Sequence, residues 1–335
     1  SRVSISRKGK WLRTLVYTRF PRMLLEFQSL PYLSHRGDVV AVIITDGLTK
    51  YYGEQRGIEN LTLQMNEGEI LGFIGPNGAG KSTTIRLLLN FVFPTAGEAS
   101  VLGYDVVEDA LEIRRRVGYL PSECHYYPEM TGEMLLEYAE RFYRKDCSKR
   151  RQELAELLDL DLSKRTGELS FGNRKKLGII QAMQHCPELL ILDEPTGGLD
   201  PLMQEVFLDM VREEKELGVS VFFSSHILSE VQKISDRVAI IKEGTLIKME
   251  SIKGLLSDQF KRVTIEWGND KTNDLKLAGL TEQDRQGNIS TFIFRGDIRD
   301  LVAALGGLEL LDLRIEEPSL EEVFLHYYDH TEVVL

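Results

Sequence analysis

The chain has 335 residues, a net charge of −11, 42% hydrophobic side chains and three cysteines. That length holds one large α/β domain with a smaller companion. The acidic balance argues against nucleic acid as the main partner, and Cys124, Cys147 and Cys186, without CxxC spacing, fit a reducing compartment rather than a disulfide framework or a zinc site.

Residues 1–38 stand apart in composition. Eight Lys and Arg against two Asp and Glu give this stretch about +6 and leave about −17 on the remainder. Trp11, Leu12, Leu15, Val16 and Phe20 could line a basic amphipathic helix on an acidic membrane surface. The plainer expectation is a disordered arm, and the stretch lacks the apolar core of a signal peptide. No run anywhere approaches the roughly 20 apolar residues of a membrane helix, so a membrane, if involved, is crossed by another chain.

From Val39 the pattern turns apolar and alternating. Val39–Ile44, Leu48–Gly53 and Ile58–Leu63 predict two or three strands, with Tyr51 or Tyr52 offering a ring to a nucleotide base. Glu69–Ile74 is a further strand, and it runs into GPNGAGKST at Gly75–Thr83 and then an apolar helix. Strand, glycine-rich loop and helix in that order define a phosphate-binding loop. Gly75, Gly78 and Gly80 are expected to permit positive φ and close approach to an anion, with N–H groups and a helix start supplying positive charge. Lys81 would reach the β and γ phosphates, Ser82 would ligate Mg²⁺, and Asn77 and Thr83 belong to the same nucleotide-binding loop.

Gly97–Gly103 and Val117–Pro121 read as short strands, after which Leu135, Leu136, Tyr138, Ala139, Phe142, Leu154, Leu157 and Leu158 recur at three and four, marking a helical insertion. Leu189–Leu192 followed by Asp193 and Glu194 describes a buried parallel strand that opens at a ligand crevice. Asp193 would hold Mg²⁺ there and Glu194 would polarise the attacking water. Val219–Ser224 is another strand, and His226 just after it is either a capped or solvated side chain or, beside the phosphate loop and the acid pair, one that could sense a γ-phosphate. Val238–Gly244 closes the sheet with a turn.

Leu169-Ser170-Phe171-Gly172-Asn173 resembles the signature loop of ATP-binding cassette (ABC) ATPases. With GPNGAGKST, LLILDEP, the Gly198-Leu199-Asp200 turn and Ser225-His226, five motifs stand in family order over about 150 residues. The resemblance implies a P-loop NTPase cassette of the α/β class, with a mixed sheet core and a helical insertion. It implies Mg²⁺ and ATP clasped head to tail between two ATPase subunits, identical or different, with Ser170 and Gly172 meeting the γ-phosphate in trans and Asp200 among the nucleotide-binding residues. Within the motif KxYG it selects Tyr52 as the base-stacking ring. Glu194 and His226 are the implied catalytic residues. Two departures stand out: Phe171 and Asn173 replace Gly and Gln of the usual LSGGQ, and Ser122 stands where a loop Gln usually touches Mg²⁺. Ser122 could bind the metal through water.

Beyond the cassette, Val263–Trp267, Thr291–Phe294 and Leu308–Ile315 read as strands and Ile298–Leu305 as a helix, while Ser319 and Glu322 have capping-box spacing. This end resembles the accessory domain of exporter ATPases. The expected organisation is a 1–38 extension, a 39–250 cassette with its helical subdomain at about 125–185, and a small α+β domain over 251–335. The implied function is hydrolysis of ATP, on the cytoplasmic face of the membrane, to drive a separate transmembrane permease that exports a drug, peptide, lipid or polysaccharide. The alternatives are a soluble cassette ATPase acting on DNA or ribosomes, disfavoured by the acidic balance, and a nucleotide switch without turnover.

Overall fold

The computed structural model describes residues 40–257, 260–268, 277–306 and 308–324, so the expectations for residues 1–38 lie outside the described residues. The elements run β1 (Ala41–Tyr52), β2 (Gln55–Asn66), β3 (Ile70–Ile74), α1 (Lys81–Leu88), β4 (Ala96–Val101), β5 (Tyr104–Asp105), α2 (Ala110–Arg116) and β6 (Val117–Leu120). Next come α3 (Gly132–Tyr143), α4 (Ser148–Leu157), α5 (Phe171–Met183), β7 (Leu189–Asp193), α6 (Pro201–Glu216), β8 (Ser220–Ser225), α7 (Leu228–Ile234), β9 (Arg237–Lys242) and β10 (Thr245–Ser251). The end is α8 (Ile252–Ser257), β11 (Phe260–Trp267), β12 (Leu280–Gln286), β13 (Ile289–Arg295), α9 (Ile298–Leu305) and β14 (Leu310–Glu316).

The central sheet has the order β10-β9-β3-β8-β7-β6, parallel throughout except for β10 at its edge. Every residue of β3, β7 and β8 is buried, because alternate side chains enter two different cores. Ile70, Ile74, Leu190, Leu192, Val221 and Phe223 pack toward α5, α6 and α7. Leu71, Phe73, Leu189, Ile191 and Phe222 pack instead with α1 and an antiparallel sheet ordered β2-β1-β4-β5. The phosphate-loop strand thus lies in the middle of a three-layer stack, and its carboxyl end is held from both sides.

Most of two sequence runs, Val39–Ile44 and Leu48–Gly53, falls in one strand, Ala41–Tyr52, with Val39 outside the described residues. Register shifts against β2 between Thr45 and Leu48 and between Leu48 and Lys50 break the alternation that would have joined them. The sheet does not end with a turn at Gly244 either. That glycine begins a hairpin to β10, whose residues are all half-buried and give no clean period.

The helical insertion is α3, α4 and α5, joined through Leu135, Leu136, Leu154, Leu158, Leu177 and Ile180. Arg151, 5% exposed, ties α4 to α3 by ion pairs to Glu133 at 2.9 Å and Glu140 at 2.7 Å. Helix α5 lies close against β6. A Cβ at Gly118 would fall 2.1 Å from the backbone oxygen of Ala182. Gly118→Ala is therefore expected to lower the thermal midpoint by several degrees, an overpacking cost on the order of 1–3 kcal/mol. A midpoint equal to the parent's would show that the helix can retreat from the strand without loss.

The C-terminal strands form an antiparallel sheet ordered β12-β13-β11-β14 with α9 against it. Val263, Ile265, Trp267, Phe292, Phe294, Leu301 and Leu305 are its own core, but Phe260, Ile293, Leu320 and Val323 enter the cassette core. The described residues from Val40 on accordingly cluster as one compact unit. The capping box forms: Ser319 N–H donates to Glu322 Oε2 at 2.8 Å and Glu322 N–H to Ser319 Oγ at 3.3 Å. Strand β12, LTEQDRQ, has no apolar alternation because it is an exposed edge, so sequence periodicity does not reveal it.

Candidate active site

A cleft of about 520 Å³ opens at the carboxyl end of β3. Tyr52, Asn77, Gly78, Gly80, Lys81, Ser82, Thr83, Ser122 and Glu194 line it, so nine residues singled out from separate parts of the sequence converge there. Gly78 and Gly80 take φ of +82° and +107°, as the glycine-rich loop requires. Gly75 has another reason for being glycine. Its φ is not positive, and a Cβ there would lie 2.5 Å from the carbonyl of Ile241 on β9.

The loop delivers the chain into α1 with Gly80 as N-cap, which offers no side-chain oxygen to the first-turn N–H groups, and that turn carries no acid. These N–H groups point with the helix dipole into the cleft, a site for an anion. Lys81, 6% exposed, donates to the carbonyls of Gly75 at 2.6 Å and Pro76 at 3.1 Å, so its ammonium is held over the loop that would cradle a phosphate.

Asp193, 2% exposed, ends β7 beneath the loop. Its Oδ2 accepts from Ser82 Oγ at 2.9 Å and its Oδ1 from Ser224 Oγ at 3.0 Å. A buried carboxylate held by two hydroxyls, with Ser82 open to the cleft, is a hard oxygen donor set suited to Mg²⁺. Among the described residues no group of three or more His, Cys, Asp or Glu could hold a metal. One serine and one aspartate are the sparse protein contribution Mg²⁺ takes when substrate phosphates complete its shell.

Glu194 follows in a left-handed conformation, φ +47°, that turns its side chain back across the cleft. Its Oε1 stands 3.3 Å from Lys81 Nζ, without hydrogen-bond geometry, and its Oε2 lies 2.6 Å from Nδ1 of His226. With the proton on Nδ1 the ring orients the carboxylate. His226 therefore reaches the cleft through Glu194. A carboxylate fixed in this way beside an anion cradle can accept a proton from water.

Tyr51 and Tyr52 separate clearly. The Tyr51 hydroxyl donates to Glu59 Oε1 at 2.8 Å, whereas the Tyr52 ring is 43% exposed at the cleft with Lys50 Nζ 5.3 Å from its centre. Ser170, Gly172 and Asp200 do not line this cleft. Ser170 caps α5 by accepting from Asn173 N–H at 3.2 Å, and Asp200 caps α6 by accepting from Met203 N–H at 3.0 Å. The two loops touch, since the Phe171 ring lies against Gly198.

Sequence reasoning missed four groups. Ser224 is placed by the parallel register that pairs it with Asp193, which only the strand order reveals. Glu230, buried and bonded to Thr196 Oγ1 at 2.9 Å, has its carboxyl pushed up by that burial. Arg56 is a cation at the cleft rim, and Lys175 lies beneath Ser122. A second groove of about 800 Å³ contains none of the anticipated residues. It runs from Tyr119 and Pro121 to α3, with Arg114, Arg115, Tyr138 and Phe142 along it.

Residues 58–197 match the family model described as ABC transporter. The chain is 34% identical over 301 residues, 85% of its length and 96% of the relative's, to the bacitracin transport ATP-binding protein BcrA of Bacillus licheniformis. Among solved structures it is similar to an ATP-binding subunit of an ABC transporter, at 30% identity and a TM-score of 0.61, over 64% of this chain and 91% of that one. A second structure, the dimeric bacterial ABC transporter cassette MJ0796, is 25% identical with a TM-score of 0.59, over 63% and 98%.

Proposed function

Because this chain belongs to the ABC transporter ATPase family, we propose that it hydrolyses ATP to ADP and phosphate and thereby drives a separate permease. The observation that supports hydrolysis, over a switch without turnover, is Glu194 bridging Lys81 and His226 at 3.3 Å and 2.6 Å at the mouth of the phosphate loop.

In this reading the loop N–H groups and Lys81 bind the β and γ phosphates, and Glu194 takes the proton of the attacking water while His226 holds its carboxylate in place. Ser82 and Asp193 hold Mg²⁺, with Ser122 near enough to the cleft to join through water. The ion neutralises phosphate charge when bound. Ser170, Gly172 and Asp200 lie outside the chain's own cleft, which fits service to the nucleotide of a second subunit. The dimeric cassette supports the pairing of two subunits.

The 800 Å³ groove is the proposed seat of the permease, where Tyr138 and Phe142 meet edge to face at 5.4 Å and are about half exposed beside Arg114 and Arg115. The pairing suits an amphipathic helix that carries acids. Among the described residues no helix is long and apolar enough to cross a membrane, so on this reading the chain sits peripherally on the cytoplasmic face. The bacitracin transport relative supports export of a peptide or drug. The C-terminal sheet is proposed as an accessory domain built on the cassette, and residues 251–335 as its extent.

The test is steady-state ATP hydrolysis by the purified chain with Mg²⁺, parent against Tyr52→Ala. The parent is expected to turn over, and the variant to lose about five- to hundredfold in ATP affinity, since ring-on-base stacking is worth on the order of 1–3 kcal/mol. A parent that binds ATP yet releases no phosphate would overturn the proposal.

A further inference from the structure

Ser122 presents a problem that the rest of the site does not. It lines the cleft beside Glu194, but its side chain is two carbons shorter than the amide that usually occupies this place in the family it resembles. Contact with a bound nucleotide must therefore be set by where the backbone of this loop stands.

Lys175 fixes that backbone. It lies in the second turn of α5, the helix capped by Ser170, and is 2% exposed. Its Nζ donates to the carbonyl of Pro121 at 2.9 Å and to that of Ser122 at 3.0 Å. Among the described residues no carboxylate is paired with it. Burial pulls its pKa down, with Cys124, Asp193 and Glu194 acting in the opposite direction, so the ammonium lies within the field of both cleft acids. A cation taken out of water is costly unless its donors are met, and an apolar side chain would fill the same space without that cost.

Two more contacts run along the same face of the helix, at three and seven residues beyond Lys175. A Cβ at Gly178 would fall 2.6 Å from Cys124 Sγ and 2.8 Å from Leu120, and the backbone oxygen of Ala182 approaches Gly118 as described above. The helix that begins at the signature loop is thus fastened along its length to β6 and to the loop entering the cleft.

We propose that Lys175 is a positioning residue that clamps the Ser122 loop to the signature helix, so that the loop approaches the nucleotide only as that helix moves. This rests on the ATPase reading above. The ammonium holds two adjacent carbonyls, and through them the register of Ser122 opposite Glu194.

The experiment compares the full chain with Lys175→Met and Lys175→Gln, measuring kcat and KM for Mg²⁺-ATP together with amide exchange, with and without nucleotide. Lys175→Met is expected to lower kcat at least tenfold, to change KM less than threefold, and to raise exchange in residues 119–124 alone. Lys175→Gln, whose amide can still serve one carbonyl, should fall between it and the parent, and it carries the comparison by itself if the Met variant does not fold. Parent kcat with parent exchange at 119–124 would overturn the clamp, as would a chain-wide rise in exchange. If the parent itself does not hydrolyse ATP, the ATPase reading fails separately. Exchange still decides the clamp in that case: nucleotide should slow exchange at 119–124 in the parent and not in Lys175→Met.

Discussion

Glu194→Gln is expected to bind ATP at least as well as the parent, to dimerise on it, and to lose about 10²- to 10⁴-fold in steady-state hydrolysis, the range over which a positioned general base contributes. The substitution keeps shape and most contacts. An amide oxygen can still accept from Nδ1 of His226, now 2.6 Å from Glu194 Oε2, so the cleft should not collapse. What disappears, on the proposed mechanism, is the basicity that would take a proton from water. The effect on binding has its own cause: Glu194 Oε1 stands 3.3 Å from Lys81 Nζ and competes with phosphate for that ammonium. Removing the negative charge leaves Lys81 to the nucleotide, so affinity should hold or rise while turnover falls. Phosphate release and nucleotide titration on the same preparation separate the two. Turnover equal to the parent's would remove Glu194 from its role, and binding lost along with turnover would mean that the side chain organises the cleft rather than the water.

Much of the site was legible because its chemistry is carried by short contiguous stretches. The phosphate loop and the acid pair at 193–194 each announce themselves locally, and the strand-loop-helix context fixes where they meet. Ser82 and Asp193 lie 111 residues apart, yet both motifs predict a carboxyl-terminal strand edge, and the hydroxyl-carboxylate bond follows at 2.9 Å. Ser224 was not legible for the opposite reason. Its bond to Asp193 depends on β7 and β8 being parallel neighbours in a particular register, which no local pattern encodes. Lys175 belongs with it, since a lysine in an Arg174-Lys175-Lys176 run reads as solvated, and only the approach of Pro121 and Ser122 shows otherwise. At Gly75 the residue type was expected for the wrong cause: the constraint is the Ile241 carbonyl and not the dihedral angle. The edge strands β10 and β12 escaped notice because half-exposed strands lose the period by which sequence reveals them.

Lys81→Ala should abolish measurable nucleotide retention, and the reason lies in how little else holds the phosphates from the side-chain side. Within the cleft the other cation is Arg56, at the rim, so the remaining attraction comes from backbone N–H groups and the start of α1. A charge-assisted hydrogen bond contributes on the order of 1.5–3 kcal/mol, and an ammonium between two phosphates makes more than one, so affinity is expected to fall by at least about a hundredfold. The fold should bear the loss. Gly75 and Pro76 carbonyls lose their donor, but they open on the cleft, where water can replace it. Thermal melting resolves binding from folding. At a ligand concentration of 100 times the parent's Kd the parent gains about 2.7 kcal/mol, a shift of several degrees, whereas the variant should gain no more than about 0.4 kcal/mol, a shift of about a degree or less. A ligand-dependent shift in Lys81→Ala equal to the parent's would count against the phosphate loop as the place where nucleotide binds.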